Sequence, residues 1–224
     1  MDASGGRIIL LNGTSSSGKT TLVRALQERL PDPWIEIGID RFVFALPKRY
    51  LDQPLWSEVF RYVRPDGRND GPFSIETGPL GERLVSGMHR TAAALAAAGL
   101  DLIVDHVLLE DAWLDEMASL WAAIPVLYVG VRCPLEVVVE RERSRRDRTI
   151  GQAEAQFDVV HRRGGYDVEV DTSELRPQEA AERIVAAAER GLPQPPFPRV
   201  AFDGRSGRHP APIRSRRSTR SSWA

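Results

Sequence analysis

The chain has 224 residues, 42% of them hydrophobic, enough to build one sizeable core in a single domain. A formal net charge of -1 exerts no global pull on nucleic acid or a membrane surface, and one cysteine, Cys133, excludes an intrachain disulfide framework and a cysteine zinc cluster. No apolar run approaches the ~18 residues of a membrane span, and MDASGG at the start lacks the basic and apolar segments of a secretory leader, so a cytoplasmic protein is expected.

The first element is IILLN (8–12), an almost continuous apolar run of the kind expected for a parallel strand covered on both faces. GTSSSGKT (13–20) follows directly and leads into KTTLVRALQERL (19–30), whose apolar positions 22, 23, 26 and 30 have helical spacing before Pro31. The pattern G-x-x-x-x-G-K-[ST] between a strand and a helix is a phosphate-binding loop. Gly13 and Gly18 allow the tight turns that aim the N–H groups of Thr14, Ser15, Ser16 and Ser17 inward, and the helix start adds partial positive charge. Lys19 is one of only two lysines among 30 basic residues, and a compact ammonium reaches the β- and γ-phosphates where a planar guanidinium fits poorly. Thr20 offers a hydroxyl to Mg2+, and Thr21 reaches the α-phosphate side.

WIEIG (34–38) reads as the second strand and brings Asp40 to the carboxyl edge of the sheet. An acid there can orient or deprotonate an acceptor hydroxyl, or it can cap a short helix at RFVFAL; position alone does not separate the two. The stretch 47–79 breaks the rhythm with prolines at 47, 54, 65 and 72 and with several aromatic residues, as a functional loop would. A helix is expected over 80–99, then a strand over 100–107 whose Asp105 can hold Mg2+, with His106 beside it in a structural role. A helix over 111–124, a strand over 125–133 and a helix over 134–146 come next. RERSRRDR (141–148) puts five arginines into eight positions, which suits a solvated face or a lid over phosphates. Arg141 and Arg145, four apart, share a face, and Arg148 opens the loop that follows and is expected on the nucleotide. A strand over 166–172 and a helix over 177–191 complete the set. Alternation of strands and helices predicts an α/β fold, a five-stranded parallel sheet with helices on both faces.

The domain is expected to span 1–202, with an acceptor-side insertion at about 47–79 and an arginine-rich lid at about 141–151. Residues 203–224 hold six arginines, one aspartate and few apolar side chains, and are expected to form a basic tail without fixed structure.

The stretches IILLNGTSSSGKT, LPDPWIEIGID, LIVDHVLL, LYVGVRC, RERSRRDR and VVHRRGGYDVEVDTS together resemble the chloramphenicol phosphotransferase family of P-loop kinases. That resemblance implies ATP-dependent phosphorylation of a small hydroxylated antibiotic with Mg2+, GTP being an open alternative. It also implies that Asp40 is the catalytic base and that Arg141 and Arg145 are lid arginines. His106 stands where the family has a second acid, and the 47–79 stretch is longer and of different composition. A kinase of a sugar- or shikimate-like metabolite, a kinase of a nucleoside antibiotic, and a regulatory nucleotide-binding module are the competing readings. Trp34, Phe42, Phe44, Trp56, Phe60 and Tyr62 near the expected pocket favour an acceptor with an apolar or aromatic part.

Overall fold

A computed structural model describes residues 5–64, 73–144 and 150–192. Five strands, β1 (Ile8–Asn12), β2 (Trp34–Gly38), β5 (Asp101–His106), β6 (Val126–Arg132) and β7 (Val168–Asp171), form one sheet in the order β2-β5-β1-β6-β7. Every pairing in it is parallel, with Asn12 opposite His106 on one side and Gly130 on the other. This is the sheet expected from the sequence, and each strand lies within a predicted run. The second sheet is a hairpin of β3 (Phe60–Val63) and β4 (Ser74–Thr77) inside the 47–79 stretch, preceded by two short 3-10 turns.

β1, β6 and the centre of β5 are apolar at consecutive positions because both faces are covered. Ile8, Leu10, Leu102, Val104, Val126 and Tyr128 face one core with α3 (Pro79–Ala97) and α4 (Asp111–Leu120), which contribute Met88, Ala92, Trp113, Leu114 and Met117. The alternate residues Ile9, Leu11, Ile103, Leu127, Val129 and Val131 face a second core with α1 (Lys19–Arg29) and α7 (Pro177–Glu189), built on Leu22, Val23, Leu26, Ala181 and Ile184. Trp34 belongs to this second core, with the Arg7 guanidinium 5.0 Å over its ring, so it is not a pocket residue as the sequence suggested. Three further helices sit at the carboxyl edge: α2 (Ile39–Phe44), α5 (Leu135–Ser144) and α6 (Gln152–Val160). Among the described residues no helix is long and apolar enough to cross a membrane.

Strand β1 leads toward β2 at one edge of the sheet and its neighbour β6 toward β7 at the other, and that divergence opens the crevice in which open α/β sheets bind ligands. Asn12, fully buried at the end of β1, fastens its borders. Its Nδ2 donates to the Val160 carbonyl at 2.7 Å and to Tyr166 Oη at 2.8 Å, while its Oδ1 accepts the Leu108 N–H at 3.0 Å. Asn12→Ala would leave buried backbone groups unsatisfied. It should lower the unfolding free energy by about 1–3 kcal/mol, measured by chemical denaturation; an unchanged midpoint would show that the three ties carry no stability.

Candidate active site

The loop 13–18 leaves β1 and wraps the start of α1. A Cβ on Gly13 would come within 2.6 Å of the Val131 carbonyl oxygen, so only glycine fits this close approach. Gly18 has φ +90° and supplies the N-cap of α1 without a side-chain cap, and no acid occupies the first helical turn. The leading N–H groups of α1 and its positive end are therefore directed into the cleft. Ser16, at φ 61°, and Ser17 have buried hydroxyl groups with no hydrogen-bond partner among the described residues. Turn geometry, a helix N-terminus and orphaned hydroxyls together fit a phosphate chain.

Lys19 is only 7% exposed. Its Nζ donates to the carbonyls of Gly13 at 2.7 Å and Thr14 at 2.8 Å and stands 3.7 Å from Asp105 Oδ1. Asp105 comes from β5, the strand beside β1, so sheet order itself carries the acid to the lysine. Thr20 and Thr21 are exposed on the first turn of α1 and line the same cleft. On the opposite wall Arg141 of α5 donates to Thr172 Oγ1 at 3.1 Å and to the Thr172 carbonyl at 2.9 Å, and Thr172 Oγ1 in turn donates to the Ser17 carbonyl at 2.7 Å. Arg141 is thus braced onto the loop. Arg145, Arg148 and the tail 203–224 lie outside the described residues.

Asp40 is exposed and lines the cleft in the first turn of α2. The N-cap of that helix is Gly38, so Asp40 is not its capping residue. The cleft has a volume of about 1050 Å3 and runs from Thr172 and Leu175 past the loop to a wall of Phe44, Phe60, Tyr62, Ile75 and Trp113. Tyr62 and Ile75 face each other across the hairpin, whose inner side the cleft exposes. Trp56 supports Phe60 from outside the lining at a ring separation of 5.7 Å, and Phe42 packs against the α3–α4 core. Of the six aromatic residues expected near the pocket, Phe44, Phe60 and Tyr62 line it directly.

Two features were not anticipated. Helix α6 brings Gln156 over the loop, where Oε1 accepts the Ser15 N–H at 2.6 Å. His106 ends a buried chain: its Nε2 lies 2.9 Å from His89 Nε2, and His89 Nδ1 lies 2.7 Å from Glu116 Oε2. Burial pushes both histidines below the ordinary imidazole range, His106 far below, although Glu116 pulls His89 partly back up. His106 also lines the cleft. It stands on the α3–α4 side of the sheet beneath Trp113.

A family profile described as chloramphenicol phosphotransferase-like protein matches residues 6–189. The chain belongs to the chloramphenicol phosphotransferase-like family. Within it, a Mycobacterium tuberculosis H37Rv protein, Rv2636, named for a proposed O-phosphotransferase activity, is 33% identical over 183 residues, 80% of each chain. The tunicamycin resistance protein of Deinococcus radiodurans superposes with a TM-score of 0.55 at 25% identity, covering 85% of this chain and 99% of its own. The Mycobacterium tuberculosis APS kinase CysC, in complex with AMPPNP and APS, shares the fold, with a TM-score of 0.58 at 14% identity over 83% of this chain and 98% of its own. Family and fold make the chain a phosphotransferase of the P-loop kinase type.

Burial also pushes His161 down, to about 4, with Arg132 adding to the effect. A histidine held below its unfolded value near 6.5 binds a proton more readily in the unfolded chain, so its contribution is present above about pH 6.5 and is lost as pH falls toward the folded value. Glu110, raised by burial and by Glu82, acts in the opposite sense, but it is one group against His89, His106 and His161. Tm should therefore be lower at pH 5 than at pH 7 by scanning calorimetry; equal values would contradict neutral buried histidines.

Proposed function

We propose that this phosphotransferase transfers the γ-phosphoryl group of ATP to a hydroxyl of a small antibiotic that carries an apolar or aromatic portion. The observation that carries the reading is one cleft in which the lysine loop and Asp40 share walls with Phe44, Phe60, Tyr62 and Trp113. A sugar-like acceptor, hydroxylated around its ring, would call for more polar partners than this wall of rings offers. The likeness to a tunicamycin resistance protein supports an antibiotic as the acceptor class.

In this reading the loop N–H groups and Lys19 hold the phosphates, and Arg141 offsets charge that develops during transfer. Asp40 accepts the proton of the acceptor hydroxyl while its oxygen bonds to the γ-phosphorus. The bond from that phosphorus to the bridging oxygen breaks, and ADP leaves. Thr20 and Asp105 are the two protein oxygen donors suited to Mg2+, a hard cation whose remaining positions water and phosphate oxygens would fill. When bound, Mg2+ neutralises phosphate charge. The hairpin and the aromatic wall seat the acceptor away from the loop, so the two substrates enter from different ends.

Asp40→Asn keeps size and one acceptor oxygen but cannot take up the proton. It should lower kcat by about 10²–10⁴-fold with ATP affinity and Tm nearly unchanged, read as phosphorylated product by mass spectrometry on a panel of hydroxylated antibiotics. Normal turnover in this variant would remove Asp40 from the chemistry.

A further inference from the structure

We infer that Gln156 is a positioning residue for the phosphate loop, acting through its hydrogen bond to the Ser15 N–H; the inference rests on the reading of this loop as the nucleotide-phosphate site. Gln156 is 3% exposed and Ser15 8%, so the 2.6 Å bond between them is sheltered from water. Sheltered bonds of this kind are costly to leave half-made. Ser15 stands on the β1 side of the loop, separated from the start of α1 by Ser16 and its positive φ. The N–H groups that open α1 point into the cleft from the other side, where an anion would sit. Gln156 and Ser15 both line the cleft, so their bond braces the cradle from its β1 side.

Helix α6 is itself held at both ends by residues adjoining the site. At its start, the buried Glu142 accepts the N–H groups of Gly151 at 2.6 Å and Ala153 at 2.8 Å. Glu142 follows Arg141 directly in α5. At its end, the Val160 carbonyl accepts from Asn12, the residue before Gly13. The middle of the helix then reaches Ser15 through Gln156. Three ties thus join α6 to the arginine helix, to the start of the loop and to the loop itself. On the far side of the loop, Thr172, itself held by Arg141, donates to the Ser17 carbonyl. With Ser15 and Ser17 both clamped, the intervening turn is fixed before any phosphate arrives, and ordering it costs nothing at binding.

Gln156→Met keeps the length and volume of the side chain but removes the acceptor oxygen. It should raise the Kd for ATP about ten-fold by calorimetry, with Tm little changed. The Ser15 amide, protected from hydrogen exchange in the wild type, should exchange quickly in Gln156→Met and stay protected in Gln156→Glu, which retains an acceptor oxygen. Equal ATP affinity in wild type and Gln156→Met would reduce Gln156 to packing and overturn the inference alone. Tighter ATP binding in Gln156→Met would overturn it as well, because the amide would then be a competitor for phosphate. A wild-type protein that takes no ATP would instead refute the reading of the loop, and the inference with it.

Discussion

Lys19 carries a full positive charge into a position that solvent barely reaches, and an ion there must find its compensation within the protein. Two carbonyls of the loop it follows and the carboxylate of Asp105 provide it. That arrangement needs a loop that turns back on its own lysine, hence Gly13 against Val131 and Gly18 in the left-handed region. It also needs β5 directly beside β1, which only the crossover topology of a parallel sheet delivers. The carbonyls that hold the ammonium are weak partners compared with a phosphate chain.

The two ends of the cleft are built differently. On the phosphate side three ties are short in space and long in sequence: Ser15 to Gln156, Ser17 to Thr172, Asn12 to Val160. Backbone groups are held there by buried side chains, which suits a ligand whose charge is always the same. On the side proposed for the acceptor, the wall is a two-stranded hairpin with aromatic faces, where Phe60 leans on Trp56 and Tyr62 on Phe73 at 4.9 Å. A hairpin gains little stability from its own hydrogen bonds and depends on such ring contacts. Its sequence can therefore vary with the acceptor while the sheet and loop stay as they are.

Much of this was legible in the sequence because it obeys local rules. Apolar runs of strand length marked the five strands of the sheet, two of them almost continuously apolar, and the glycine–lysine spacing located the loop. Helix α6 was missed for a physical reason: Ala153, Ala155, Phe157 and Val159 alternate with polar residues, a two-residue period that masks the helix and Gln156 with it. The hairpin lacked a short turn signature, since eight residues separate Arg64 from Phe73. Trp34 was misread because a tryptophan before an acidic strand end looks like a pocket residue, whereas the strand's alternation sends it into the α1–α7 core. The Glu116–His89–His106 chain joins α4, α3 and β5, and no spacing along one chain announces a contact of that kind.

The proposed role of the buried ammonium is to anchor phosphate. Calorimetric titration of ATP into wild-type protein and the Lys19→Ala and Lys19→Arg variants tests it most directly. Losing charge-assisted hydrogen bonds should weaken ATP binding by about ten- to a hundred-fold in Lys19→Ala, and Lys19→Arg should not restore it, because a planar fork cannot occupy the point between the two carbonyls. Both variants should remain folded. ATP binding of wild-type strength in Lys19→Ala would contradict the account at its centre.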